Sequence, residues 1–335
     1  MPKTFGRNIK VALGQEAVYD TYVSPVAHGI CVDPSGVDFS PDKQIIEIPT
    51  SRGVPMPNLA DMAEGVKAWT GKIPFALAKE DMNWIFLNLL GTVTTSTIAG
   101  TPNYYKHIHQ ISTATPKSLS VLYQHDLAAV ANREWRLSGG MIKSLKLVFD
   151  LNKEIAVLIE LEGGTYLISQ TVGTAPTYSV PASGLYFYIF KNGLFTINGL
   201  TTWNHVELNF APAIDDSLEA SYEYGSDARK RLERAGEPAM LITGTAKRLL
   251  DEETNLTAWD AFTTIALTFL YGDIAVAAYA LKIELLKLKL ITPPKREKKG
   301  MGLFEETLTF KAFRDSNDTD NAITILDTQV TPTTQ

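Results

Sequence analysis

Apolar and polar residues alternate with a period of two over short runs along most of this chain. That period marks half-buried β-strands, because successive strand side chains point to opposite faces. In residues 154–161 the apolar set is Ile155, Val157, Ile159 and Leu161, while Glu154 and Glu160 point the other way. Strands are predicted likewise at 10–13, 44–48, 72–77, 117–123, 142–151, 185–190, 206–210, 265–271, 281–290 and 304–313. Within 281–290 the parity slips: Leu281, Ile283 and Leu285 share one side, and Leu286, Leu288 and Leu290 the other. A bulge near Leu285 reconciles them.

Two helices interrupt this pattern. Met82, Ile85, Phe86, Leu89 and Leu90 recur at helical spacing, with Asp81 ahead and Gly91 as a stop. A shorter helix over about 254–263 follows the acidic Asp251-Glu252-Glu253 and places Leu256, Trp259 and Phe262 on one side.

The two helices sit in matching contexts. Thr70-Gly71 opens a strand that leads into the first, and Thr243-Gly244 opens a strand that leads into the second. Upstream of each lies a strand and a long Gly- and Pro-containing loop, 41–66 and 211–240; downstream of each lie three further strands. The order of elements implies an internal duplication. The predicted class is mainly β, with two tandem β-sandwich or partial-barrel domains, each with one flanking helix. Residues 1–164 form the first with an N-terminal arm, 165–205 a linker with a hairpin of 185–190 and 194–197, and 206–335 the second with a C-terminal tail.

Composition narrows the function classes. Thirty-one Lys plus Arg against 37 Asp plus Glu leave a net charge of −6, which argues against nonspecific nucleic-acid binding through a basic surface. Cys31 is the single cysteine, so neither an intrachain disulfide nor a Cys-based zinc cluster can form within one chain. Met1–Arg7 is not followed by an apolar core, so no secretory signal is read there. The most apolar stretch, 265–291, carries Asp273, Lys282, Glu284, Lys287 and Lys289, too many charges for a membrane span.

Motifs for chemistry are weak. His107 and His109 share one face of a strand, but no third ligand is evident, so they read as a polar strand face rather than a metal site. Asp215-Asp216 and Asp251-Glu252-Glu253 read as solvated or capping acids rather than a glycosidase pair. No phosphate-binding loop or nucleophile elbow occurs. Gly139-Gly140 and Gly163-Gly164 fit tight turns, and Lys295–Lys299 after Pro293-Pro294 reads as an exposed loop. The five tryptophans are scattered and read as core or interface anchors. No enzyme, cofactor or metal is expected.

Residues 5–14 (FGRNIKVALG), Ser51-Arg52-Gly53, Trp69-Thr70-Gly71 and residues 300–310 (GMGLFEETLTF) together resemble the tail tube proteins of long-tailed, siphovirus-type bacteriophages. The resemblance implies a virion structural protein, made in the host cytoplasm, whose domains stack in rings of six into a DNA-conducting tube. Two domains per chain then imply trimeric, pseudo-hexameric rings. It also implies a tape measure protein and a tail terminator as partners, and passage of double-stranded DNA without adhesion.

Under this reading Glu154, Glu160, Glu162, Glu305, Thr307 and Thr309 line the lumen, edge pairing of 142–161 and 281–313 closes the ring, and Arg52, Arg229, Lys230 and Arg231 in the long loops stack one ring on the next. The alternatives are a carbohydrate-binding β-sandwich pair, a carboxylate hydrolase, or another tail or secretion tube ring component.

Overall fold

The structure is a computed structural model that describes residues 9–25, 29–47, 62–78, 82–98, 105–112, 117–127, 130–171, 173–176, 187–189, 193–215, 233–234, 240–250, 253–272, 280–299, 303–313 and 323–329. The first half contains β1 (Lys10–Gln15), β2 (Gly29–Ile30), β3 (Asp38–Glu47), β4 (Met62–Ala76), α1 (Met82–Leu90), β5 (Gly91–Thr97), β6 (Tyr105–Ile111), β7 (Leu119–Leu127), β8 (Val130–Asp150), β9 (Ala156–Gly163) and β10 (Tyr166–Thr171). The second contains β11 (Gly193–Ile197), β12 (Trp203–Pro212), β13 (Ile214–Asp215), β14 (Glu233–Arg234), β15 (Met240–Leu249), α2 (Thr254–Asp260), β16 (Ile265–Tyr271), β17 (Leu281–Leu290), β18 (Lys295–Lys299), β19 (Leu303–Ala312) and β20 (Ile323–Gln329).

Hydrogen-bonded neighbours in the first half run β1, β7, β8, β9, β4, β3, all antiparallel. In the second half they run β11, β16, β17, β19, β15, β12, again antiparallel. The order is the same, and in each half the helix follows the Thr-Gly strand, β4 or β15. The glycines have a steric reason. A Cβ on Gly71 would lie 2.6 Å from the Phe39 ring, and one on Gly244 would lie 2.5 Å from the Phe310 ring. Each leaves room for an aromatic from the neighbouring strand.

The long strand β8 serves two sheets. Its N-terminal part pairs with β7 and β10, and its C-terminal part with β9 and β12. The change falls at Gly139, where φ is +69°. Gly139 and Gly140 lie inside β8 rather than in a turn as expected, while Gly163 ends β9 and Gly164 sits in the bend before β10. A Cβ at Gly163 would come within 2.2 Å of the buried Trp69 indole, whose Nε1 donates to the Ser138 carbonyl at 2.8 Å. The kink is held from the N-terminal segment. Glu16 accepts from Ser118 Oγ (2.6 Å), Ser120 Oγ (2.8 Å), Gly139 N (3.0 Å) and Asp20 N (2.9 Å). In the second half the corresponding strand bends differently. Leu267 pairs with Leu285 but Ile265 pairs with Leu288, which places a bulge at 286–287, where parity predicted it.

The halves meet edge to edge. Residues 145–150 of β8 pair with 205–210 of β12, and Phe149, Phe195 and Phe269 pack behind the seam with ring centroids 4.7–4.9 Å apart. A second tie comes from the β5–β6 hairpin, whose β6 pairs with β20. Helix α1 covers that hairpin with Ile85, Phe86, Leu89 and Leu90 fully buried, and Gly91 ends it at φ +101°. His107 and His109, expected on a polar strand face, are fully buried there, with the His109 ring 6.0 Å from Phe86.

Other expectations are corrected. The described parts of 41–66 and 211–240 extend hairpins: β3 continues to Glu47, β4 begins at Met62, and β13 pairs with β14. Residues 185–190 and 194–197 do not pair with each other among the described residues; Phe187 bridges Ala78, Ile189 bridges Glu154, and β11 joins β16. Nor is 165–205 only a linker, since it supplies β10 to one half and β11 to the other. In α2 the inward residues are Asn255 and Ala258, while Phe262 lies beyond the helix, exposed, with Lys289 over its ring at 4.2 Å.

Candidate assembly surface and channel face

Eight strands form one continuous antiparallel sheet across both halves: β3, β4, β9, β8, β12, β15, β19 and β18. Each half supplies four in matching order. Among the described residues β3 pairs only with β4, and β18 only with β19, so the sheet ends in two open edges. The expectation that 142–161 and 281–313 offer the assembly edges therefore changes. The edge of β8 is taken within the chain by β12, β9 and β19 are interior, and β18 alone of the second stretch is open. The segment Lys295–Lys299 is a strand rather than a loop, because Pro293-Pro294 interrupts the run only locally and β18 regains the ladder at Lys295↔Thr307.

One face of the sheet is apolar and buried; the other is polar and lysine-rich. Period-two alternation puts Glu160 and Glu162 on the polar face of β9, and Glu305, Thr307 and Thr309 on that of β19. Their carboxylates are matched one by one. Lys72 meets Glu160 at 3.0 Å, Lys143 meets Glu162 at 2.9 Å, and Lys299 meets Glu305 at 3.4 Å. Sequence reading did not find these lysines, nor the pair Lys146–Glu207 at 2.8 Å that crosses the seam between halves. The Lys72 hydrogen bond, with help from Ser144, holds the Glu160 carboxyl below its usual range. Asp150, bonded to His205 across the same seam, is likewise held low. Thr307 and Thr309 stand opposite Lys247 and Thr245. Glu154 shares the parity but lies ahead of β9, exposed and bridging Ile189, apart from the row. Arg52, Arg229, Lys230 and Arg231 fall outside the described residues.

The buried face differs between halves. Four residues after each Thr-Gly glycine stand Phe75 and Arg248. Phe75 pairs with Val157, which pairs with Leu147; Arg248 pairs with Glu306, which pairs with Arg296. Arg248 and Glu306 are both fully buried, with Arg248 Nε donating to Glu306 Oε2 at 3.0 Å and Asn255 Nδ2 to the same oxygen at 2.8 Å. Arg248 also lies over the Trp203 ring at 5.6 Å, and Arg296 reaches Glu253 at 3.0 Å. A sequence signal existed: Glu306 has the parity of the buried Leu308 and Phe310.

Among the described residues no three His, Cys, Asp or Glu side chains gather as a metal site. No described helix is long and apolar enough to cross a membrane.

The chain is thus mainly β, built on a repeated strand order, with an eight-stranded sheet whose two end strands keep one open edge each among the described residues. The family model described as phage tail tube protein matches residues 6–312, and the chain belongs to that family. Membership makes it a structural component of the virion tail that self-assembles into a tube. No curated protein matches the chain.

Proposed function

We propose that three chains close into a pseudo-hexameric ring, and that stacked rings form the channel through which the genome of a siphovirus-type phage leaves the virion. The observation that supports this most is the seam at β8 and β12: one half joins the other by edge pairing, and each chain keeps one open edge at either end of an eight-stranded sheet. Residues 1–164 and 206–335 act as two tube domains, with β10 and β11 extending them into the segment between. Three chains give a closed sheet of 24 strands. Barrel diameter grows with strand number, and barrels of about 16–18 strands already leave an aqueous channel. Closure also removes the open edges that would otherwise aggregate.

In this reading the polar face lines the lumen, with Glu160, Glu162, Glu305, Thr307 and Thr309 on it and Glu154 at its border. The paired lysines leave that face without a basic collar, so phosphates are not held by counterion release. The hairpins β3–β4 and β12–β15 carry Arg52, Arg229, Lys230 and Arg231 in their connecting segments and stack ring on ring. A tape measure protein and a tail terminator complete the tail. Electron microscopy of purified tubes tests the reading: threefold rings of whole chains are expected, and sixfold rings of whole chains overturn it. Glu160→Lys with Glu305→Lys should slow DNA release without harming assembly, whereas an unchanged ejection rate would place that face outside.

A further inference from the structure

The duplication supplies a template for the contact between chains, at the level of register. Within the chain, Lys146 stands opposite Asn209 and Leu147 opposite Leu208, and Lys146 reaches diagonally to Glu207 at 2.8 Å. The strand order converts each of these positions into its counterpart. Lys146 pairs with Leu158 and so across to Pro74, three residues after Gly71; Lys295 pairs with Thr307 and so across to Lys247, three residues after Gly244. Lys295 is therefore the counterpart of Lys146. On the other strand, Glu207 pairs with the residue after Gly244, and Asp38 with the residue after Gly71. Asp38 is the counterpart of Glu207, Phe39 of Leu208 and Ser40 of Asn209.

We propose that β18 of one chain pairs with β3 of a second copy in this register: Lys295 opposite Ser40, Arg296 opposite Phe39, and Lys295 ion-paired diagonally with Asp38. The inference rests on the ring reading above and adds its contacts. Charge complementarity supports it, since a lysine and an acid recur at the two positions that form the internal ion pair. Both are exposed, and among the described residues neither Lys295 nor Asp38 makes an ion pair. The register sets Glu297 against Asp38, a like-charge pair. It is flanked by Lys295 and Lys299 on one strand and by Lys72 opposite Asp38 on β4. On the buried side Arg296, whose Nε and Nη2 are buried without a hydrogen bond among the described residues, comes to lie beside the Phe39 ring of the next copy. Guanidinium groups favour aromatic faces of that kind.

The test uses the full chain with Cys31→Ser. Directly opposed strand residues lie about 4.5–5.5 Å apart at Cα, within reach of a disulfide. Ser40→Cys with Lys295→Cys should give covalent dimers and closed trimers on oxidation. Lys146→Cys with Asn209→Cys, the internal counterpart, should close within one chain, and Ser40→Cys with Lys299→Cys should not link. Separately, Lys295→Glu should raise the concentration needed for ring formation about fivefold, the scale of an exposed ion pair, and adding Asp38→Lys should restore it. Threefold rings that form but do not cross-link at 40 and 295, or that link at 40 and 299, overturn the register while leaving the ring intact. A Lys295→Glu defect that Asp38→Lys does not relieve overturns the ion pair. Protein that stays monomeric at every concentration overturns both the register and the ring.

Discussion

Phe75, Val157 and Leu147 fill a buried row of the first half; Arg248, Glu306 and Arg296 fill the corresponding row of the second. Strand order and register are the same around both, and an aromatic packs on each Thr-Gly glycine, Phe39 from β3 in the first half and Phe310 from β19 in the second. The backbone arrangement therefore does not depend on whether this row is oil or salt. Each row is held in its own way: the apolar one by packing, the charged one by the Arg248–Glu306 pair with Asn255, while Arg296 reaches Glu253 outside the row. The covering helices follow suit. Helix α1 turns Ile85, Phe86 and Leu89 inward, whereas α2 turns Asn255 inward to reach Glu306.

The comparison breaks most readily at Glu306. Glu306→Ala should remove about 3–5 kcal/mol, because it leaves Arg248 buried without its counter-ion. Transplanting the first half's row, Arg248→Phe with Glu306→Val and Arg296→Leu, should recover most of that loss by urea denaturation, the remainder being the acceptor that the buried Asn255 amide loses. A triple variant as unstable as the single one would show that the rows are not interchangeable.

Next come the paired glycines. Gly71→Ala and Gly244→Ala should each destabilise by about 1–3 kcal/mol through overpacking. Gly244 should be the worse, since its Cβ would also meet the Glu207 carbonyl at 2.6 Å, which a ring rotation cannot relieve. Equal melting shifts would count against that difference.

A third contrast is between the two bends. Burial pushes the Glu16 carboxyl above its usual range, against the hydrogen bonds it accepts. A carboxyl that is more basic folded than unfolded binds its proton more tightly in the native state. Its stabilising contribution is full below the unfolded value near 4.5 and declines as pH rises through the folded value. Glu16→Gln should flatten stability across that window, measured by denaturant midpoints at several pH values. Substitutions at the 286–287 bulge should leave this pH dependence unchanged.

The smallest effect belongs to the polar face. Lys72 and Glu160 are partly exposed, and their second-half counterparts are Thr245 and Thr309. Lys72→Met should cost no more than about 1 kcal/mol. What it does cost should fade as pH drops, since Glu160, held low by Lys72, contributes in full above its unfolded value and loses that contribution as pH falls through its lower folded one. A larger loss, undiminished in acid, would assign Lys72 a packing role.

Much of this was legible in sequence because periodicity reports burial directly. The first helix, the strands flanking both Thr-Gly motifs and the 286–287 bulge all carry it. Legibility failed where charge stood for exposure. Lys295–Lys299 looked like a loop, yet its backbone completes a ladder. Arg248 and Glu306 occupy buried parity and were passed over, since a charge at a core position reads as an interruption until its partner on another strand is known. In helix α2 Trp259 packs against the core as its spacing implies, but Phe262 is exposed and the fully buried side chain is Asn255, whose partner Glu306 lies on another strand. The polar face was readable as a face; the lysines that neutralise it come from strands distant in sequence.

The pairing of β6 with β20 also sets a clock. Residue 111 leaves the ribosome more than two hundred residues before residue 323. At about 5–20 residues per second that is roughly 10–40 s of synthesis with one side of the hairpin unfilled. The first half of a nascent chain is thus held incomplete until translation is almost finished. Ribosome-stalled chains ending before Ile323 should be cut by protease within 105–111, and chains carrying β20 should not.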